Sequence, residues 1–161
     1  MGRGVVVKRS KLLEQLRELG ATQKHVAVGV IGAASREQHT EAPGQKSEHT
    51  VAEVATWNHY GTSTIPARPF IAIGLGLHAA ELKHLQNRLA VGIVMGKLGL
   101  DQALALLGEA AVGHIKQTIA DGVAPENAES TIARKGSSTP LINFGQLRGS
   151  ISSEVREGGR E

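Results

Sequence analysis

The sequence predicts an α+β fold in which a small antiparallel sheet packs against several helices. Three observations lead there. Leucine and isoleucine recur at three- and four-residue spacing over 78–98 and 102–119, as in amphipathic helices. Residues 25–31 and 146–156 instead alternate with period two, as strands do. The strands are not adjacent in the chain and are interleaved with helices, which favours an α+β architecture with an antiparallel sheet.

The elements follow in order. Residues 8–19 read as an amphipathic helix, with Leu12, Leu13, Leu16 and Leu19 on one side and Gly20 as its stop. The valine-rich stretch 25–31 reads as a strand. Residues 33–48 are polar, bend at Pro43-Gly44, and read as a long exposed loop, drawn out like a hairpin tip for contact. Thr50-x-x-Glu53 is a capping-box pattern ahead of a helix over about 51–59, which Gly61 ends. Pro66 and Pro69 hold 61–69 extended, because the residue before each proline is pushed out of the α region.

A helix can begin at Pro69, weakened early by Gly74 and Gly76. Its clearer part is 78–98, with Leu82, Leu85, Leu89 and Ile93 in register. After the break at 98–100, Asp101 caps a helix over 102–119 whose stripe is Leu104, Leu107, Ala111, Ile115 and Ile119. Asp121-Gly122 closes it. Pro125 opens a shorter helical turn to about Ala133, and 134–145 are irregular. In 146–156, Leu147, Gly149, Ile151, Ser153 and Val155 alternate with charged and small polar residues. The chain reads as a single domain over 1–161 with a flexible end at 157–161.

Composition narrows the function. There is no cysteine, which excludes disulfides, thiolate metal sites and cysteine nucleophiles. The aromatic side chains are Trp57, Tyr60, Phe70 and Phe144, too few for base-stacking recognition of single strands. Net charge is +3. Arg3, Lys8, Arg9, Lys11, Arg17 and Lys24 stand against only Glu14 and Glu18 in the first 24 residues. That bias suits contact with phosphate or with an acidic protein, and equally a solvated helix face. Val5-Val6-Val7 is too short for a secretory signal, and apolar runs such as 89–96 fall short of a membrane span. The expectation is a soluble intracellular protein.

Catalytic signatures are absent. No Gly-x-Ser-x-Gly elbow occurs, and Gly92-x-x-x-Gly96-Lys97 is one residue short of a phosphate loop and lacks its Ser/Thr. Ser137, Ser138 and Thr139 have no local base. The acidic pairs Glu126/Glu129 and Glu154/Glu157 fall in segments read as exposed. The seven histidines show no metal-binding spacing, so no metal or cofactor is predicted; only a site assembled in three dimensions stays open. Three function classes are weighed: a structural assembly protein, a small DNA-binding protein using the basic amino-terminal helix, and a histidine-based metal-dependent hydrolase.

Residues 51–70 hold the one Trp, the one Tyr, one of the two Phe and two of the five Pro. They run through Val51-Ala52, Trp57-Asn58, Tyr60-Gly61-Thr62 and Ile65-Pro66-Ala67-Arg68-Pro69-Phe70. Thr131, Lys135 and Gly136 follow downstream, then Pro140-Leu141-Ile142, Gly145-Gln146-Leu147 and Ser150-Ile151. In order and spacing these blocks resemble the neck and tail-completion proteins of tailed bacteriophages, the head–tail joining or minor tail family, over about two thirds of the chain. Two positions depart from that pattern. His59 stands where an acidic residue usually precedes the aromatic-Gly, so an ion pair between that position and Arg68 does not follow. Phe144 stands where a Thr usually precedes Gly-x-Leu.

The resemblance implies a non-enzymatic virion protein at the head–tail junction, made in the host cytoplasm. It implies a homo-oligomeric ring, six copies around the tail axis, between the head-closure or connector protein and the tail tube or tail terminator protein. The ring completes or attaches the tail and lets DNA pass. Trp57, Tyr60, Ile65, Arg68, Phe70, Phe144 and Leu147 are the expected interface residues. Arg9, Lys11, Arg148 and Arg156 are the residues expected to face passing DNA, without sequence preference. Two prolines stiffen 65–70 and reduce the entropy lost on docking, and Arg68 offers a planar fork. The same residues admit a plainer role, in which Phe70 caps its own core and Arg68 binds a helix end of the same subunit.

Overall fold

The computed structural model describes residues 23–42, 44–126 and 145–158, together with positions 13, 14, 16, 17, 20 and 21. The expected turn after Pro125 beyond residue 126, and Phe144, Arg9 and Lys11, lie outside the described residues. The described residues form an α+β fold with five helices and two two-stranded antiparallel sheets. Positions 20 and 21 are helical, so Gly20 is not the stop expected of it. Leu13 and Leu16, the described part of that first predicted stripe, are exposed.

Strand β1 (His25–Val30) pairs with β4 (Ile151–Arg156), near the far end of the chain. The register sets Val26 opposite Val155, Val28 opposite Ser153 and Val30 opposite Ile151. The alternating residues of both strands therefore share one face, as their period requires. Helix α4 (Leu100–Asp121) lies across that face. At Gly108 the approach is so close that an added Cβ would sit 2.6 Å from Ser153 Oγ and 2.8 Å from Val26 Cγ2.

The buried side of α4 is Ala103, Gly108, Ala111, Val112, Ile115, Thr118 and Ile119, while Leu104 and Leu107 are half-buried. The stripe is thus rotated from the leucine-led one the sequence suggests. Small residues at 103 and 108 let the helix press onto the sheet, which displaces the bulkier leucines to its flank. Asp101 lies in the first turn rather than at the cap, and its carboxylate meets Lys24 Nζ at 2.7 Å.

Of residues 33–48, expected as a long exposed loop drawn out like a hairpin tip, the described residues 33–42 and 44–48 carry a helical turn and two strands. A 3-10 turn (Ala33–Arg36) leads into a hairpin of β2 (Gln38–Ala42) and β3 (Gln45–Thr50). Its polar composition resembles a loop because the hairpin is held by hydrogen bonds, not by an apolar face. Gln146 supplies two of them: its Oε1 accepts from Thr40 N at 2.8 Å and its Nε2 donates to Gln38 O at 3.0 Å.

Helix α1 (Val51–Tyr60) starts on the expected capping box, with Glu53 N donating to Thr50 Oγ1 at 3.2 Å and Thr50 N to Glu53 Oε2 at 2.7 Å. Helix α2 (Phe70–Leu77) follows Pro69, and α3 (Ala79–Val94) begins after a break at His78. Residues 146–150, expected as the start of a strand, form the short helix α5 (Gln146–Ser150) ahead of β4. Gly149 N donates to Gly145 O at 2.8 Å, closing that turn. The four-residue step from Leu147 to Ile151 fits a helical turn as well as an alternation, and both side chains reach the core.

The core joins Val51 and Ala55 of α1, Phe70 of α2, Val112, Ile115 and Ile119 of α4, Val123, Leu147 and Ile151. Helix α3 contributes no buried residue. Among the described residues no helix is long and apolar enough to cross a membrane.

Candidate functional site

The corner over 57–70 is built by its backbone. Gly61 ends α1 at φ 80° and ψ 169°, a conformation open essentially to glycine alone, and its N–H donates to Trp57 O at 2.8 Å. A Cβ there would lie 2.9 Å from Ala67 N and 3.1 Å from Ile65 O, so the chain returns directly over the glycine. Thr62 closes the small loop: its N–H donates to Ile65 O at 2.8 Å, and its hydroxyl accepts from Ile65 N at 3.0 Å and Thr64 N at 3.2 Å. Arg68 N then donates to Asn58 O at 2.7 Å, tying the returning strand to α1.

The side chains of this corner divide into two groups. Phe70 is fully buried in the core. Arg68 is buried as well, and its guanidinium turns inward, donating from Nε to Pro125 O at 2.7 Å and from Nη2 to Glu126 O at 3.1 Å. Burial pulls this guanidinium below its ordinary pKa. No carboxylate pairs with it among the described residues. The docking roles expected of Arg68 and Phe70 are therefore corrected: both side chains are used up within their own subunit. Leu147, also expected at an interface, is likewise a core residue at 4% exposure.

What remains outside is Tyr60, 76% exposed, with Pro66 and Ala67 exposed beside it and Trp57 and Ile65 half-buried. Trp57 sets its ring edge-on to His49 at 4.7 Å. His59 sits between Tyr60 and Phe70, edge-on to both at 4.7 Å and 5.3 Å, and burial lowers its pKa. Arg148, in α5, and Arg156, at the end of β4, are both exposed. Arg156 also contacts Glu154 at 3.3 Å.

Comparisons with protein-family models, with curated proteins and with solved structures give no match.

A second cluster brings histidines together from separate helices, which no local spacing in the sequence marks. His78, at the joint of α2 and α3, stacks on His114 of α4 with ring centroids 3.9 Å apart and planes within 11°. Glu81, in the first turn of α3, points Oε2 at both rings, 3.4 Å from His78 Nδ1 and 3.5 Å from His114 Nε2. His78 Nδ1 is buried and makes no hydrogen bond. The only local signal is the three-residue step from His78 to Glu81; the second imidazole arrives from a different helix.

Proposed function

We propose that this chain is a structural subunit of the head–tail junction of a tailed phage and works by assembly rather than catalysis. Copies form a ring, six by the family resemblance, that completes or attaches the tail and leaves a passage for DNA. Its neighbours are a head-closure or connector protein on one side and a tail tube or terminator protein on the other. The supporting sequence pattern is the ordered set of blocks from Tyr60-Gly61-Thr62 through Pro-Ala-Arg-Pro-Phe to Ser150-Ile151.

One structural observation carries the reading. Tyr60 is exposed on a corner whose inner face is locked by Arg68 and Phe70. An aromatic ring held out on a rigid mount loses little entropy on docking, and tyrosine is among the side chains that anchor interfaces. The docking element is thus Tyr60 with the Pro66-Ala67 crest, and the Arg-Pro-Phe segment is its foundation.

The test is Tyr60→Ala in the assembling phage. The expected result is a chain with an unchanged urea midpoint and an accumulation of separate heads and tails. Particle imaging should place the chain at the capsid–tail boundary. Normal joined particles from the variant, or density for the chain at the distal tip, would overturn the reading.

A further inference from the structure

We propose that His78, Glu81 and His114 bind one zinc ion, which fastens the α2–α3 joint to α4. This inference is independent of the role in assembly. The ligand atoms of the three residues all lie within 4.8 Å of one another. Two ligands each about 2.1 Å from zinc and at the tetrahedral angle stand about 3.4 Å apart. The carboxylate oxygen lies 3.4 Å and 3.5 Å from the two imidazole nitrogens.

An ion pair accounts for the cluster less well. One carboxylate serves two imidazoles, and protonating both would place two positive rings face to face at 3.9 Å. His78 Nδ1 makes no hydrogen bond although Glu81 is beside it. A divalent cation uses both nitrogen lone pairs and the carboxylate together, and imidazole with carboxylate is a donor set that suits zinc.

A metal lies in the plane of each imidazole that binds it, so nearly parallel rings cannot share one ion. Binding therefore turns one ring out of the stack about its Cβ–Cγ bond, a soft torsion, and resets that ring's distance to Glu81 while the other ring keeps its own. The side chains of His78 and His114 are 29% and 23% exposed, which leaves room for that turn. Glu81 is 68% exposed, so water can complete the coordination from the solvent side. The ion would brace α3, which buries no residue of its own.

The experiment uses the full chain, stripped with a chelator and titrated with zinc by calorimetry. One site per chain is expected, with a rise in melting temperature on zinc addition. Cobalt(II) in place of zinc should give the intense visible absorption of a tetrahedral site. His78→Gln, Glu81→Gln and His114→Gln should each weaken zinc binding by about tenfold or more, the size of loss seen even for outer-shell partners of a metal. His84→Gln, an exposed histidine of α3 outside the cluster, should leave it unchanged. Glu81 is exposed, so its variant keeps the test valid should either histidine variant fail to fold. Zinc binding no tighter than about 100 μM, or equal in the wild type and the Glu81→Gln chain, overturns the proposal.

Discussion

Arg68 reaches across 57 residues to the carbonyl of Pro125, and no carboxylate shares the site among the described residues. Among the described residues this buried cation is held by main-chain oxygens, and the hold depends on its fork geometry, because Nε and Nη2 donate to successive carbonyls. Arg68→Ala removes two charge-assisted hydrogen bonds and leaves those carbonyls without their donor. The expected loss is about 3 kcal/mol in urea denaturation, and Arg68→Lys should not restore it. A protein as stable as the wild type would show that the clamp does not hold the 125–126 segment.

Gly61→Ala tests the corner from the backbone side. The observed φ and ψ are strained for any side chain, and the added methyl would meet Ala67 N at 2.9 Å. Destabilisation of about 1–3 kcal/mol is expected from the conformation alone. An unchanged denaturation midpoint would mean that the chain need not return over this glycine.

The contrast between two glycines of α4 separates packing from helix propensity. Alanine is the better helix former by about 1 kcal/mol, so Gly113→Ala, with open space at that position, should stabilise by up to that amount. At Gly108 the same methyl would collide with Ser153 and Val26, and overpacking of about 1–3 kcal/mol outweighs the gain. Opposite signs in thermal unfolding of the two variants are expected; stabilisation by both would show a gap between α4 and the sheet.

His59 gives the fold an acid-side weakness. Burial lowers its pKa from the ordinary 6.5. The unfolded chain therefore takes up a proton that the folded chain resists. The stability contributed by neutral His59 is complete above about pH 6.5 and is lost as pH falls from there through the lowered folded value. Urea midpoints measured between about pH 7.5 and pH 5 should fall for the wild type and fall less for His59→Gln. Equal slopes in the two proteins would remove His59 as the cause.

What the sequence made legible was local. Thr50 and Glu53 lie three apart and form the capping box their spacing predicts, and Val26, Val28 and Val30 share a face as alternation requires. Gly61 ends its helix because only glycine tolerates that turn. What escaped was set by contacts far apart in the chain. Polar residues 38–42 and 44–50 gave no apolar period, and two hydrogen bonds on the outer edge of β2 come from Gln146, 106 residues beyond Thr40. Arg68 reads equally well as an outward fork or an inward clamp until Pro125 is placed beside it. His78 and His114 come together only because α2 and α4 pack side by side.

The amide of Gln146 occupies the main-chain oxygen of Gln38 and the main-chain nitrogen of Thr40, as a neighbouring strand would. A side chain thereby seals part of one border of the hairpin against sheet extension. A foreign strand approaching along Gln38–Thr40 would first have to displace that amide.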